Sequence, residues 1–242
     1  MSSIKKIIKF LLSKVTSLRF LERLTQNLIW RDILLEKKPE IIADINGKIS
    51  SHEKWNELLR TNVWNKIANY IKTDKDILYL EFGVWKGDSI KYFAEKFKNE
   101  NSEFYGFDTF HGMPNEWRHM EQGHYSTSGD VPKTDDNRIK FIGGLFQETL
   151  PDFLNKLNLE SKKKLVVIHF DAVLYSSTLF TLFKLDEHIK NYYFIFDQLG
   201  TDECRAFNNF NESKLKKYEL HFASKYNGAP EVVFGKFIKT KI

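Results

Sequence analysis

The chain contains a single cysteine, Cys204, among its 242 residues, which excludes a disulfide framework and a zinc site built from cysteines. So few cysteines are typical of proteins of the reducing cytoplasm, where we expect this chain to act. No stretch reaches the roughly 20 consecutive apolar residues that a membrane-spanning helix needs. Lys9 and Lys14 interrupt the apolar run near the N-terminus and no small-residue cleavage site follows, so we expect no secretory signal.

The net positive charge of the chain is confined to one short segment. Residues 1–38 hold nine Lys/Arg and three Asp/Glu, a net charge of +6, so the remaining residues sum to −1 of the total of +5. This near-neutral remainder argues against an enzyme with a basic nucleic-acid channel. Hydrophobic residues make up 42% of the chain, including 21 Phe and 10 Tyr, so we expect a large core rather than disorder.

Apolar residues recur at helical spacing through the basic N-terminal arm. The first group predicts one amphipathic helix and consists of Ile4, Ile7, Ile8, Leu11, Leu12, Val15 and Leu18. A second helix is predicted from Phe20, Leu21, Leu24 and Leu28. Three interpretations stay open: packing on the body or on a second copy in a homodimer or higher homo-oligomer, binding to a membrane surface, and a flexible arm. We favour packing.

The segment after this arm is predicted to be a connector over residues 39–47 and then a third helix. Ser50-Ser51-His52-Glu53 resembles a capping box at the start of that helix. Its inward-facing residues are predicted to be Trp55, Leu58, Leu59, Val63, Trp64, Ile67 and Ile71. We therefore predict a helical N-terminal extension over residues 1–75 and a main domain over residues 76–242.

Strand and helix patterns alternate from residue 77 onward. Strands are predicted at 77–82, 103–108, 139–143, 165–171, 193–197, 218–224 and 231–238, and helices at 88–99, 147–157, 176–190 and 202–213. The turn at residues 227–230 is too short for a crossover helix, so the last two strands must pair antiparallel. The fold class predicted is α/β, a doubly wound, mostly parallel seven-stranded sheet with an antiparallel last strand.

A glycine-containing turn follows the first of these strands. Glu81 ends the strand, Gly83 allows a sharp turn, and Gly87 allows a ligand to approach the main chain closely. Asp88 or Ser89 is expected to cap the next helix, whose free N–H groups would face that ligand. The third glycine of the dinucleotide fingerprint is absent, which argues against a nicotinamide-dependent oxidoreductase. An ordinary strand-to-helix turn is the alternative, although E-x-G-x-x-x-G resembles motif I of class I S-adenosylmethionine (SAM) methyltransferases.

Acidic residues end four of the five parallel strands: Glu81, Asp108, Asp171 and Asp197. Because the carboxyl ends of parallel strands share one edge of the sheet, we expect these acids to lie around one ligand site. Asp108 suits a ribose diol, since a carboxylate accepts both hydroxyl hydrogens. Asp171 and Asp197 suit a divalent cation that would lower the pKa of a substrate hydroxyl, or Asp171 acts alone as the base. His169 is expected to be a core residue.

Five segments in order resemble the macrocin/mycinamicin-type sugar O-methyltransferases. They are Gly106-Phe-Asp-Thr-Phe-His-Gly-Met-Pro-Asn-Glu-Trp117, Gly144-Leu-Phe-Gln-Glu-Thr-Leu-Pro151, His169-Phe-Asp-Ala-Val-Leu-Tyr-Ser-Ser177, Phe196-Asp-Gln198 and Glu203-Cys-Arg-Ala-Phe207. The resemblance implies SAM as methyl donor, Mg²⁺ as a metal cofactor, and a hydroxyl of a sugar or natural product as acceptor. Such a chain takes a small-molecule or glycan acceptor and no nucleic acid.

Site residues are carried over from that resemblance by position. SAM would be held by Glu81, Gly83, Gly87, Ser89, Asp108, Thr109, Leu145 and Phe146. The metal would be held by Asp171, Asp197 and Gln198, with Asp171 also the base. Two departures from the family pattern, Val173 and Gln198, stand where that pattern has acids, so a non-catalytic SAM- or ligand-binding module is the second hypothesis. The long loop of residues 111–133 is predicted to be a substrate lid, with His124 and Tyr125 as candidate acceptor contacts.

Overall fold

The computed structural model describes residues 18–117, 120–157, 164–197, 199 and 201–238. The predicted amphipathic helix of residues 4–18 lies outside this range except for its last residue, and Gln198 lies outside it as well.

The described strands form one eight-stranded sheet in the order β1-β7-β8-β6-β5-β2-β3-β4. Their bounds are β1 Glu40–Ile45, β2 Ile77–Phe82, β3 Glu103–Asp108, β4 Ile139–Gly143, β5 Leu165–Phe170, β6 Tyr192–Asp197, β7 Lys217–Tyr226 and β8 Ala229–Ile238. β8 lies between β6 and β7 and runs antiparallel to both, whereas the other neighbouring pairs are parallel. The mostly parallel sheet with an antiparallel last strand is confirmed.

The predicted connector over residues 39–47 is wrong, because it contains β1. This strand pairs parallel with β7 from Glu40 opposite Phe222 to Ile45 opposite Tyr226. The adjacent turn is fastened by the main-chain N–H of Gly47, which donates to Oδ1 of Asn227 at 2.8 Å. β1 is an edge strand whose residues are exposed or half-buried, so it lacks the apolar run that marks the central strands. Over the residues that the structure describes, the sheet therefore has eight strands and not the predicted seven.

Helices cover both faces of the sheet. Their bounds are α1 Leu18–Lys37, α2 His52–Trp55 continued by a π-helical turn Asn56–Thr61 and by Asn62–Ile71, α3 Asp88–Lys96, α4 Phe146–Lys156, α5 Tyr175–His188 and α6 Thr201–Lys214. Ser51 caps α2 by accepting the N–H of Lys54 at 3.1 Å. Over the described part of the chain, the helices are too short or too polar to cross a membrane.

The second predicted helix is confirmed as α1, and one side of it packs on the body. Trp30 is fully buried and its ring lies 5.4 Å from the ring of Phe207 on α6. Gln26 is also buried and accepts the side-chain amide of Asn208 at 3.1 Å. Leu28 and Leu35 remain exposed on the same helix. The boundary predicted between residues 75 and 76 falls in the turn that joins α2 to β2.

The alternation of side chains along β2 builds two cores. Leu78, Leu80 and Phe82 pack with residues of α4, α5 and α6, whereas Ile77 and Tyr79 pack with α2 and α3 on the opposite face. β2 pairs in parallel with both β3 and β5. The chain adds β3 and β4 on one side of β2 and then crosses to add β5 and β6 on the other side, so the strand order reverses at β2. In a doubly wound sheet such a reversal opens a crevice beyond the strand ends, where ligands bind.

Candidate active site

A cavity of about 350 Å³ lies at this crevice. Its walls come from the turn after β2, the end of β3, the start of α4, the turn after β5, and α2. The lining includes Arg60, Trp64, Gly83, Val84, Trp85, Lys86, Asp88, Ser89, Asp108, Thr109, Leu145, Phe146, Asp171, Ala172, Val173 and Ser177. Most of the site residues predicted from the sequence are therefore brought to one cavity.

Gly83 and Gly87 are required by the shape of the turn after β2. Both have positive φ, +94° and +77°, in the region that favours glycine. A Cβ atom on Gly83 would lie 2.0 Å from the carbonyl oxygen of Asp171. Gly87 itself is the N-cap residue of α3, so the expected cap by Asp88 or Ser89 is wrong. Asp88 is the first residue of the helix.

Glu81 does not line the cavity but binds a residue that does. Its carboxylate is fully buried and accepts the hydroxyls of Ser89 and Tyr79, each at 2.8 Å. Ser89 does line the cavity, so Glu81 holds the first turn of α3 in place. Its predicted contact with SAM stays a prediction.

Asp108 organises two backbone segments around the cavity. Its Oδ2 accepts the main-chain N–H groups of Val84 at 2.8 Å and Trp85 at 2.9 Å, and its Oδ1 accepts that of Phe110 at 2.9 Å. A carboxylate has about four lone-pair positions, so these bonds leave room for a ribose hydroxyl. Thr109 also shapes this wall, because its hydroxyl donates to the carbonyl of Gly112 at 2.7 Å.

Leu145 and Phe146 form the apolar wall at the start of α4. Leu145 is the N-cap residue of the helix, and Phe146 packs edge-on against Phe82 with ring centroids 5.4 Å apart. From the predicted lid, Tyr125 lines the cavity beside Met113. His124 is not among the lining residues and instead packs on Tyr125 at 4.5 Å.

Asp171 and Asp197 lie close together, and a guanidinium connects them. Nη2 of Arg60 donates to Oδ2 of Asp171 at 3.0 Å and to Oδ2 of Asp197 at 2.8 Å. Nε of Arg60 also donates to Oδ2 of Asp197, at 3.0 Å. Sequence reasoning missed Arg60, although it lies four residues before Trp64 on the apolar stripe of α2. A basic residue on a buried stripe needs an acidic partner, and this rule was the available signal.

Burial and neighbouring charges set the protonation of the two acids. Burial raises the pKa of Asp171 to about 7, against the opposing effect of Arg60 and with a further increase from the charge of Asp197. For Asp197, burial acts to raise the pKa, but Arg60 and His169 outweigh it and hold the pKa below its usual value. Asp197 is therefore a fixed anion, whereas Asp171 exchanges protons near neutral pH.

His169 is a buried residue that connects Asp197 to Glu81. The hydroxyl of Tyr79 donates its one hydrogen to Glu81, so its 2.5 Å contact with Nδ1 of His169 needs an N–H on that nitrogen. Nε2 faces Oδ2 of Asp197 at 3.1 Å and donates there. Both nitrogens then carry hydrogen. Burial alone would lower the pKa of His169, but Asp197 and Glu81 raise it to about 9.

The turn after β5 is held by a residue whose role the sequence did not reveal. Oε1 of Glu203 on α6 accepts the main-chain N–H groups of Ala172 and Val173, both at 3.1 Å. Burial, with the nearby charge of Asp171, raises the pKa of Glu203 well above its usual value. Val173 has a φ of +65°, an outlying conformation for a β-branched residue. Such strain is typical of functional sites.

A family profile described as macrocin-O-methyltransferase (TylF) matches residues 59–221, more than half of the chain. The chain belongs to the TylF macrocin-O-methyltransferase family. It is a SAM-dependent O-methyltransferase with a small-molecule acceptor. The matched residues begin just before Arg60 and include the whole turn after β2, Asp108, Asp171, Asp197 and Glu203. No curated protein matches the sequence.

Solved structures of O-methyltransferases share the fold of this TylF-family chain. The O-methyltransferase NovP is 19% identical with a TM-score of 0.50, covering 74% of this chain and 76% of NovP. The structure named cmcI-D160 Mg-SAM is 13% identical with a TM-score of 0.50, covering 75% of this chain and 73% of the other. At these identities the likeness shows the fold.

The described residues of this TylF-family protein do not form a ready site for Mg²⁺. Within those residues, no group of three His, Cys, Asp or Glu side chains could hold a metal ion. Oδ2 of Asp171 and Oδ2 of Asp197 already accept bonds from Arg60. Among the described residues, Oδ1 of Asp197 is buried without a hydrogen-bond partner. Mg²⁺ usually takes one or two protein carboxylates and several waters, and with Oδ2 of both acids bound to Arg60 only their Oδ1 atoms are left for it. The third expected ligand, Gln198, lies outside the described residues.

Proposed function

We propose that this O-methyltransferase methylates a hydroxyl of a sugar or of a glycosylated small molecule. The observation that carries the proposal is the position of Asp171, whose carboxylate lines the cavity beside the glycine turn and has a pKa raised to about 7. A carboxylate of that pKa is a suitable general base at neutral pH, because a base works best when its pKa lies near the working pH.

The methyl donor fits the half of the cavity formed by β2, β3 and α4. The turn between Gly83 and Gly87 would hold the amino-acid part of SAM, and Asp108 would accept one ribose hydroxyl at its remaining lone pair. Leu145 and Phe146 offer an apolar surface for the adenine ring. When bound there, SAM supplies a methyl group on a positively charged sulfur.

The acceptor fits the other half, between α2 and the turn after β5. Polar side chains that can bind hydroxyl groups line this half, namely His52, Asn56, Thr61 and Ser177. Trp85 and Tyr125 add aromatic surface of the kind that packs on sugar rings. Asp171 would take the proton of the acceptor hydroxyl as its oxygen becomes the nucleophile, and Arg60 would keep the carboxylate pointed into the cavity.

Magnesium assistance is implied by the resemblance alone, and Arg60 opposes it because its guanidinium already binds both acids. Two further expectations remain predictions. Assembly as a homodimer or higher homo-oligomer and location in the cytoplasm follow from the sequence patterns described above. A membrane surface is the less favoured partner of the basic N-terminal arm.

The proposal is tested by methyl transfer from radiolabelled SAM to a panel of glycosides and sugar nucleotides, with products identified by mass spectrometry. We expect transfer to at least one hydroxylated acceptor, and loss of turnover in Asp171→Asn because amides are poor bases. Asp152→Asn, an exposed change on α4 outside the cavity, is the matched control and should keep full turnover. Full turnover by Asp171→Asn would contradict the assignment of the base, and transfer only to non-sugar acceptors would contradict the substrate class.

A further inference from the structure

Arg60 occupies the position between the ends of β5 and β6 where a bridging cation was expected. Its guanidinium makes three hydrogen bonds to the two carboxylates, at 2.8, 3.0 and 3.0 Å. The side chain of Arg60 is 14% exposed, and those of Asp171 and Asp197 are 22% and 0% exposed. A divalent cation that bridged the same oxygens would have to displace this guanidinium or lie against its positive charge.

Displacing Arg60 is opposed by the way in which α2 holds it. The residue lies on the π-helical turn Asn56–Thr61, and turns of this kind recur at functional sites. The turn is tied to the sheet, because the hydroxyl of Ser224 on β7 donates to the carbonyl of Leu59 at 2.8 Å. The guanidinium also lies 5.0 Å from the ring of Trp64, a cation–π contact. Taking the two acids away from this buried guanidinium would leave its charge uncompensated, which strongly destabilises a folded protein.

With Arg60 in place, few carboxylate oxygens remain for a metal. Oδ2 of Asp197 already accepts from Trp64 Nε1 at 3.2 Å and from His169 Nε2 at 3.1 Å, besides Arg60. Val173 stands where the family pattern has a further acid. Affinity for hard cations depends on the number of charged oxygen ligands. Asp171 and Asp197 alone therefore favour the guanidinium of Arg60 over a divalent cation.

We propose that the guanidinium of Arg60 takes the place of the divalent cation in this chain, positioning Asp171 for the acceptor without a metal. This inference rests on the proposed function only for the role of Asp171. The claim about the metal stands on the geometry of the three side chains. Arg60 is thus a positioning residue that substitutes for a metal.

Manganese binding to the full chain, measured by the loss of the free Mn²⁺ signal in electron paramagnetic resonance, tests the proposal directly. We expect the wild-type protein to bind no Mn²⁺ at concentrations up to about 1 mM, the weak end of protein sites for hard cations. Arg60→Met should gain Mn²⁺ binding, because it releases both carboxylates at similar side-chain volume. Arg60→Lys keeps a cation there and should gain none. Wild-type binding that Asp171→Asn abolishes would overturn the proposal, as would an Arg60→Met protein that folds and gains no binding.

Titration calorimetry with SAM, in EDTA and in Mg²⁺, gives a second measurement that needs no variant. We expect the SAM affinity of the wild-type protein to be equal in the two buffers. A drop of about tenfold or more in EDTA, equivalent to 1.4 kcal/mol, would overturn the proposal even if Arg60→Met fails to fold. Absence of SAM binding in both buffers would instead contradict the proposed function, so the two failures are distinguishable.

Discussion

Replacing Gly83 by alanine tests whether the turn after β2 and the turn after β5 must touch. Gly83 has a φ of +94°, and a Cβ atom there would lie 2.0 Å from the carbonyl oxygen and 2.7 Å from the carbonyl carbon of Asp171. That carbonyl is backbone and has little freedom, because the N–H of Asp171 donates to the carbonyl of Phe82 at 2.9 Å. The added methyl group therefore pushes the two turns apart.

Gly47 offers a matched control, because its φ is +99° and a Cβ atom there would meet nothing within 4 Å. Gly47→Ala should cost only the strain of a positive φ, about 1–2 kcal/mol. Gly83→Ala adds a clash in a packed region, about 1–3 kcal/mol more and at the upper end here because the overlap is with backbone. The free energy of unfolding should thus fall by about 3–5 kcal/mol for Gly83→Ala.

Urea unfolding measures both variants, and SAM titration reports on the site. With a stability near the middle of the usual range of about 5–15 kcal/mol, Gly83→Ala stays mostly folded at 25 °C, so its affinity for SAM is measurable. We expect that affinity to fall by at least about tenfold, since Asp171 and the glycine turn move together, while Gly47→Ala binds SAM as the wild type does. Equal losses of stability in the two variants would refute the contact, and unchanged SAM affinity in Gly83→Ala would refute its role in the site.

Three further outcomes are expected. Asp108→Ala should weaken SAM binding by about 1.5–3 kcal/mol, the range for hydrogen bonds to a charged group, and unchanged calorimetric affinity in a folded variant would contradict the ribose assignment. Glu203→Ala should lower the free energy of unfolding by about 1–3 kcal/mol because two main-chain N–H groups lose their acceptor. Glu203→Gln keeps an acceptor oxygen and should lower it much less. Equal urea midpoints for the two variants would contradict this role of Glu203. The pKa of His169 is raised from 6.5 to about 9, so its stabilising effect is complete below pH 6.5 and is lost as pH rises through 9. Between pH 6 and pH 9, the free energy of unfolding should therefore fall more for the wild type than for His169→Gln. Equal decreases in the two proteins would mean that His169 is neutral in the folded protein.

The local pattern of the sequence was enough to determine the central sheet and most of the cavity. β2, β3 and β4 have the bounds that were predicted, because each is a short run rich in aromatic or branched apolar residues that is bounded by an acid or a glycine. The acids at the ends of β2, β3, β5 and β6 lie at one edge of the sheet, because the carboxyl ends of parallel strands share that edge. Gly83 and Gly87 were identified from spacing alone, since only glycine adopts such turns without strain.

Only the tertiary structure decided which groups these acids contact. Arg60 lies 111 and 137 residues before Asp171 and Asp197, and no local period encodes which charge reaches which partner. β1 was missed because an edge strand needs one neighbour and no continuous apolar run. The sequence therefore determined where the acids are, and the packing of α2 against the sheet decided that an arginine stands between two of them.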